Sequence, residues 1–273
     1  MKSKLDSIDM YASAKSFIAP INYIFGQTIC EYDMSKANIT VLKAFGRITK
    51  EEYDYLYNLP KDNREYEIGM KIRSDKKYQD YIDEGVAYSK KMFLELNHVD
   101  LQTILRIAND SFYIVSPYIC TNLQFLGPDN ETLITFSQKG SYNVFLKLHG
   151  NLFFCNTLGD YYDIDVKGIR DDQLPLHSKF LTFIAELCND YIIGGKEIAI
   201  RNFNEFYDNY VKRKLEIEYY REFRSGGGFR YDCKGMTYFL QATPDENATD
   251  KIDISYNLNV LRTLYAYILS AGG

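Results

Sequence analysis

Leu101-Gln102-Thr103-Ile104-Leu105-Arg106-Ile107-Ala108-Asn109-Asp110-Ser111-Phe112-Tyr113-Ile114-Val115 reads as two apolar, strand-like runs, 101–107 and 112–115, on either side of Asn109-Asp110-Ser111. Asn, Asp and Ser favour tight turns, so the stretch predicts two strands joined by a turn that carries an exposed carboxylate. The same rhythm continues downstream. Strand-like runs fall at 133–136, 142–148, 152–156 and 161–166, with turn signals at Gly127-Pro128-Asp129-Asn130, His149-Gly150-Asn151 and Leu158-Gly159-Asp160. Strands that follow one another with only short turns between them predict an antiparallel meander rather than alternating βαβ units.

Upstream of this block the reading is helical. Residues 50–57 form a short helix stopped near Pro60, and 79–97 a longer one with Tyr81, Ile82, Val86, Tyr88, Met92, Phe93 and Leu96 on one side. Asp33 ends a short apolar stretch containing Ile29 and Tyr32 and precedes a segment with Ile39, Val41, Leu42 and Phe45. Residues 1–28 are a mixed lead-in. After 173 the helical period returns, from Leu176 through Phe180, Ile184, Leu187 and Tyr191 to Gly194-Gly195. It resumes with Phe203, Phe206, Tyr207 and Tyr210, and again with Leu258, Leu261, Leu264 and Ile268. Between the last two lies Arg221-Glu222-Phe223-Arg224-Ser225-Gly226-Gly227-Gly228-Phe229-Arg230, the most basic stretch and, by composition, the most flexible. The expected fold class is therefore α+β: an antiparallel sheet with inserted helices and a C-terminal helical lobe. The expected division is a core at 1–173, with a helical insertion at 50–98, and a lobe at 174–273.

With 46% hydrophobic and 25% charged residues, the 273-residue chain can bury a sizeable core. Its net charge of −5 lacks the basic footprint of a chain whose main task is gripping nucleic acid, although a local basic groove is compatible with it. The 5 cysteines are odd in number and form no C-x-x-C pair, which argues against zinc and a disulfide framework and suits a reducing cytoplasm. No continuous apolar run marks a signal peptide, and no stretch approaches the ~20 apolar residues needed to cross a bilayer, so no membrane partner is expected. His98, His149 and His177 are scattered, with no H-E-x-x-H or G-x-S-x-G pattern, so hydrolase readings have little support.

Asp33 and Asp110 are the candidates for chemistry, each at a strand end or turn where a carboxylate stays exposed. Two such carboxylates facing one another can hold paired Mg²⁺ ions about 3.5–4 Å apart, which activates a 3′-hydroxyl and stabilises departing pyrophosphate. Glu31-Tyr32-Asp33-Met34-Ser35-Lys36-Ala37-Asn38 resembles motif A of family-B DNA polymerases, D-x-x-S-L-Y-P, with Asp33 in the metal-ligand place. Ala108-Asn109-Asp110-Ser111 resembles motif C, Y-x-D-T-D-S, with Asp110 on its second Asp. Lys61-x-x-x-Glu65-x-x-Ile68-Gly69 has the spacing of motif B, K-x-x-x-N-S-x-Y-G. Lys139-Gly140-Ser141-Tyr142 is similar to the element that contacts the primer terminus, and Asp165-Val166-Lys167-Gly168-Ile169 to the K-G element after it. The hairpin also resembles the R-Y-A-D-D-F loop of reverse transcriptases through Arg106-Ile107-Ala108-Asn109-Asp110-Ser111-Phe112.

The resemblance covers about half the chain and implies a polymerase palm. It implies Mg²⁺ (or Mn²⁺) on Asp33 and Asp110, nucleotide phosphates on Lys61 with Arg64 beside it, the sugar over Asn38, and nucleic acid along Lys139, Tyr142 and Lys167. Arg221, Arg224 and Arg230 around the glycine run are candidate phosphate contacts. Four positions depart from the pattern: Ala108 replaces the first motif-C Asp, Asn38 the motif-A Tyr, and Glu65 and Ile68 the motif-B Asn and Tyr. The plain readings stand beside these. Asp33 is also a natural helix cap, Asn109-Asp110-Ser111 a natural turn, Lys61, Arg64, Lys139 and Lys167 ordinary solvated lysines and arginine, and the glycine run a linker. The expected function is a template-dependent or primase-like nucleotidyltransferase acting on nucleotides and nucleic acid. The alternative is an inactive polymerase-derived accessory or inhibitor protein, phage or mobile-element borne, with a protein partner. A third reading is an unrelated α+β interaction protein.

Overall fold

A computed structural model describes residues 4–115, 119–233, 235–244 and 246–272. The elements run α1 (Lys4–Ser13), β1 (Ser16–Ile18), β2 (Tyr23–Met34), α2 (Ala37–Ala44), α3 (Lys50–Asn58), α4 (Lys61–Ser74), α5 (Lys77–Leu96), β3 (Ile104–Ala108), β4 (Ser111–Val115), β5 (Gln124–Leu126) and β6 (Leu133–Leu148). They continue with β7 (Asn151–Asn156), β8 (Asp163–Lys167), α6 (Ser178–Gly194), α7 (Lys196–Val211), β9 (Phe229–Cys233), β10 (Met236–Leu240) and α8 (Ser255–Ser270). The class is α+β, as the strand and helix periodicities imply. The chain divides into two compact units, residues 1–21 with 28–141 and residues 22–27 with 142–273, so β2 and β6 each change unit along their length.

In the first unit the strand order is β1-β3-β4-β2-β6, with β5 also paired to β6. β3 and β4 form an antiparallel hairpin in which Ala108 faces Ser111, leaving Asn109-Asp110 as a two-residue loop. Such a loop needs a residue at positive φ to match the twist of its strands, and Asn109, at φ +50°, supplies it. β4 then runs antiparallel to β2, with Tyr32 opposite Phe112 and Asp33 opposite Ser111.

The helices cover one face of this sheet. Thr49 caps α3 by accepting a hydrogen bond from the Glu52 N–H at 3.2 Å, and the helix stops before Pro60 as read from the sequence. α5 turns Ile82, Gly85, Ser89 and Phe93 inward. A Cβ on Gly85 would lie 2.5 Å from the Val41 Cβ, so only glycine lets α5 approach α2 this closely. Phe93 is fully buried and stacks on Phe112 with ring centroids 5.6 Å apart, while Tyr32 and Phe136 complete an aromatic cluster around it.

The second unit pairs the end of β6 with β7 and β7 with β8, all antiparallel. α6, α7 and α8 bury Phe180, Ile184, Phe203, Leu261 and Leu264 in a core with Leu146 and Phe153. Asn257 is buried there, accepting from the Phe223 N–H and donating to the Arg221 carbonyl, each at 2.8 Å.

Several expectations need correction. The mixed lead-in of residues 1–28 resolves into α1, β1 and the first part of β2, and 133–148 form one strand rather than two. Residues 61–74 form a helix of their own, α4. Leu96 is exposed, and the buried face of α5 includes Ser89 and Lys90. The glycine-rich stretch leads directly into the β9–β10 hairpin, because backbone crowding there admits nothing larger: a Cβ on Gly228 would meet the Leu240 carbonyl at 2.2 Å. Among the described residues, no helix is long and apolar enough to cross a membrane.

Candidate active site

The alternation of β2 sends Tyr32 and Met34 into the core and leaves Asp33 between them on the opposite face, half-buried. Asp110 sits next to it for a reason of register. With Asp33 opposite Ser111, the preceding residue of the hairpin loop falls beside the end of β2, where the Met34 N–H donates to the Asp110 carbonyl at 3.3 Å. Lys36, at φ +50°, then turns the chain sharply into α2, which carries Asn38 on its exposed side.

Asp33 and Asp110 line one cavity of about 530 Å³, together with Asn38 from α2, Lys61 and Arg64 from the first turn of α4, and Lys90 from α5. The electrostatics follow from this crowding. Burial and then the neighbouring Asp110 push the Asp33 carboxyl up to about 6, against the pull of Lys139 and Lys61. Burial likewise raises Asp110, opposed by a backbone hydrogen bond and then by Lys90 and Lys61. Burial depresses the Lys90 ammonium to about 8, and Asp110 partly restores it.

Between its ordinary value and about 6, Asp33 binds more protons folded than unfolded, so its contribution to stability is complete at low pH and is lost as pH rises through 6. The stability difference between Asp33→Asn and wild type should therefore grow in favour of the variant from pH 4.5 to 7.5. A change of about 1 kcal/mol is expected after allowing for solvent screening. Urea denaturation of both proteins across that range checks it, and a flat difference would show that burial and Asp110 together do not raise the Asp33 carboxyl.

The structure thus brings together Asp33, Asp110, Asn38, Lys61 and Arg64. Lys139, on the first-unit part of β6, acts on Asp33 electrostatically. The remaining candidates belong to the second unit. Tyr142 and Lys167 both meet Asp165, at 3.4 and 2.7 Å. Arg221 is buried, donating to the Gly227 and Gln241 carbonyls and lying over the Phe229 ring. Arg224 and Arg230 both pair with the buried Glu222.

Sequence reasoning missed Lys90, which is only 2% exposed and donates to the Ala14 carbonyl at 2.6 Å. Its signal was present in the spacing: Ile82, Val86, Lys90 and Phe93 follow one helical stripe, so a lysine there enters the covered face. Lys15 and Lys36 also line the cavity but are engaged at its rim. Lys15 pairs with Asp83, and Lys36 donates to the Tyr57 carbonyl at 2.9 Å while lying over that ring.

The chain matches the family described as Bacteriophage PBS1 gene 130 protein over residues 7–270, and it belongs to that family. No curated protein matches it.

Proposed function

We propose that this member of a bacteriophage protein family is a metal-dependent nucleotidyltransferase built on a reduced polymerase palm, template-dependent or primase-like, with Asp33 and Asp110 as its metal ligands. One observation carries the reading: a strand-end carboxylate and a hairpin carboxylate on the neighbouring strand share a cavity with the basic first turn of a helix. Motif order alone does not require that juxtaposition, whereas nucleotidyl transfer does.

The donor set suits Mg²⁺ or Mn²⁺. Mg²⁺ is typically held by one or two carboxylates with substrate phosphates and water completing the shell, and a shared cation would offset the burial and the Asp110 repulsion that raise Asp33. Among the described residues no group of three or more His, Cys, Asp or Glu side chains is placed to hold a metal, so phosphate oxygens and water would supply the remaining ligands. When bound, the cation polarises the reacting phosphate and neutralises charge on the departing pyrophosphate.

The chain's own residues supply the rest. Lys61 and Arg64 meet the distal phosphates at the N-terminal end of α4, where the helix dipole also favours anions. Asn38 lies beneath the sugar, and Lys139 follows the primer side of Asp33. Tyr142 and Lys167 enter as nucleic-acid contacts through the family-B resemblance, and Arg221, Arg224 and Arg230 as phosphate contacts flanking the glycine run, Arg221 being the buried one of the three. The test is extension of a primed template with labelled nucleotides, expected to proceed with Mg²⁺ or Mn²⁺ and to stop on chelation. Absence of incorporation on primed and unprimed templates alike would remove the enzyme reading.

Sugar choice offers a sharper check. A flat tyrosine ring packed against C2′ rejects ribonucleotides by clash, whereas Asn38 leaves space and can hydrogen-bond a 2′-hydroxyl. The wild type should discriminate only weakly against ribonucleotides, and Asn38→Tyr should raise the preference for deoxynucleotides about tenfold or more. Strong exclusion of ribonucleotides by the wild type would show that Asn38 does not lie under the sugar.

A second reading rests on Ala108 and the net charge of −5: a polymerase-derived accessory or inhibitor protein that keeps the cavity but not the chemistry. Nucleotide binding without incorporation, under every metal and template condition, would favour it.

A further inference from the structure

Lys90 is an unusual wall for a metal cavity. Charged side chains are almost never fully buried unless paired, because desolvating an ammonium costs several kcal/mol or is relieved by losing the proton. Lys90 sits 2% exposed on α5, with Ala14 the only carbonyl its ammonium is seen to reach among the described residues. One carbonyl satisfies one of its three N–H donors. Lys90 lines the cavity, and its charge acts on Asp110. In the hairpin, Ala108 leaves one carboxylate where the two-metal pattern has two.

These two departures compensate each other. With Ala108 at the first motif-C place, two carboxylates are left to be shared between two cations, and the second cation would also be repelled by the fixed positive charge of Lys90. A triphosphate still needs a second cation facing it, and Lys90 offers one with donors to spare. We infer that Lys90 stands in for one of the two metal ions: the site binds a nucleoside triphosphate with a single divalent cation on Asp33 and Asp110, and the buried ammonium of Lys90 contacts the phosphates from the opposite side. This rests on the nucleotidyltransferase reading and specifies its substrate class and metal count. Lys90 is on this account a binding residue, rigidly held by α5 and the Ala14 carbonyl, in contrast to the exposed Lys61 at the cavity mouth.

The experiment counts metal ions. Mn²⁺ bound per chain is measured by electron paramagnetic resonance in the presence of a non-hydrolysable deoxynucleoside triphosphate, for wild type, Lys90→Met, Lys90→Arg and Asp110→Asn. Circular dichroism verifies each fold. The expected result is one Mn²⁺ per nucleotide-bound wild-type chain. Lys90→Met should weaken the nucleotide at least tenfold, and Lys90→Arg, which keeps the charge, should recover most of that loss. A structural role alone would predict that Met, a close match in volume, leaves the metal count and nucleotide affinity unchanged. Two Mn²⁺ ions per wild-type chain would overturn the inference while leaving the nucleotidyltransferase reading in place, and this holds even where Lys90→Met fails to fold. Unchanged nucleotide affinity in folded Lys90→Met would overturn it as well. No Mn²⁺ binding that depends on Asp110 would remove the nucleotidyltransferase reading and the inference together.

Discussion

Asp110→Asn is expected to lower nucleotide incorporation at least ~10³-fold, the scale of losing a principal electrostatic stabiliser of the transition state. The substitution keeps shape and removes charge. The Asp110 carbonyl still accepts from the Met34 N–H, Asn109 still provides the positive φ of the loop, and an uncharged amide replaces a carboxylate whose burial outweighs the support of its neighbours. The thermal midpoint should therefore stay level or rise slightly while activity disappears. Paired melting and primer-extension assays read both quantities. A folded Asp110→Asn protein with wild-type activity would reduce Asp110 to a turn former.

The second large effect is expected in the core below the site. Phe93→Ala should cost about 3–5 kcal/mol, the range for truncating a fully buried aromatic side chain. Phe93 has no exposed surface and touches the Tyr32, Phe112 and Phe136 rings, so its removal opens a void bounded by three strands that cannot easily collapse. Those strands include β2 and β4, which set Asp33 beside Asp110, and Phe93 lies one helical turn from Lys90 on α5. A loss below about 1 kcal/mol in urea denaturation would mean that α5 is not packed on the sheet as described.

The elements that could be read directly from the sequence are those whose pattern has one interpretation. The 111–115 strand, the helix ending at Gly194-Gly195 and the C-terminal helix have uninterrupted apolar periods and clear stops. Others were hidden for specific physical reasons. In β6, Gln138, Lys139 and Gly140 break the apolar pattern because that part of the strand is exposed or only half-buried, so one long strand reads as two. α4 buries only Ile68 among its 14 residues, too little apolar surface to register as an amphipathic helix. The β9–β10 hairpin follows glycines that look like a linker, and β10 presents exposed residues throughout.

At the site, Asp33 and Asp110 were visible because carboxylates between apolar runs stand out, and the register of β2 on β4 then brings their strand positions together. Lys90 was not visible in that way. A lysine in a helix reads as solvated until the neighbouring elements that cover it are known, and α1 and the turn after it were read as lead-in.

The central claim is that Asp33 and Asp110 share a divalent cation. Anomalous diffraction from crystals grown with Mn²⁺ and an incoming nucleotide tests it most directly. An anomalous peak is expected at coordination distance, roughly 2.0–2.2 Å from an oxygen of each carboxylate, as for a small octahedral cation. Carboxylates that face away from each other, or a cavity holding nucleotide with no anomalous peak between Asp33 and Asp110, would contradict it.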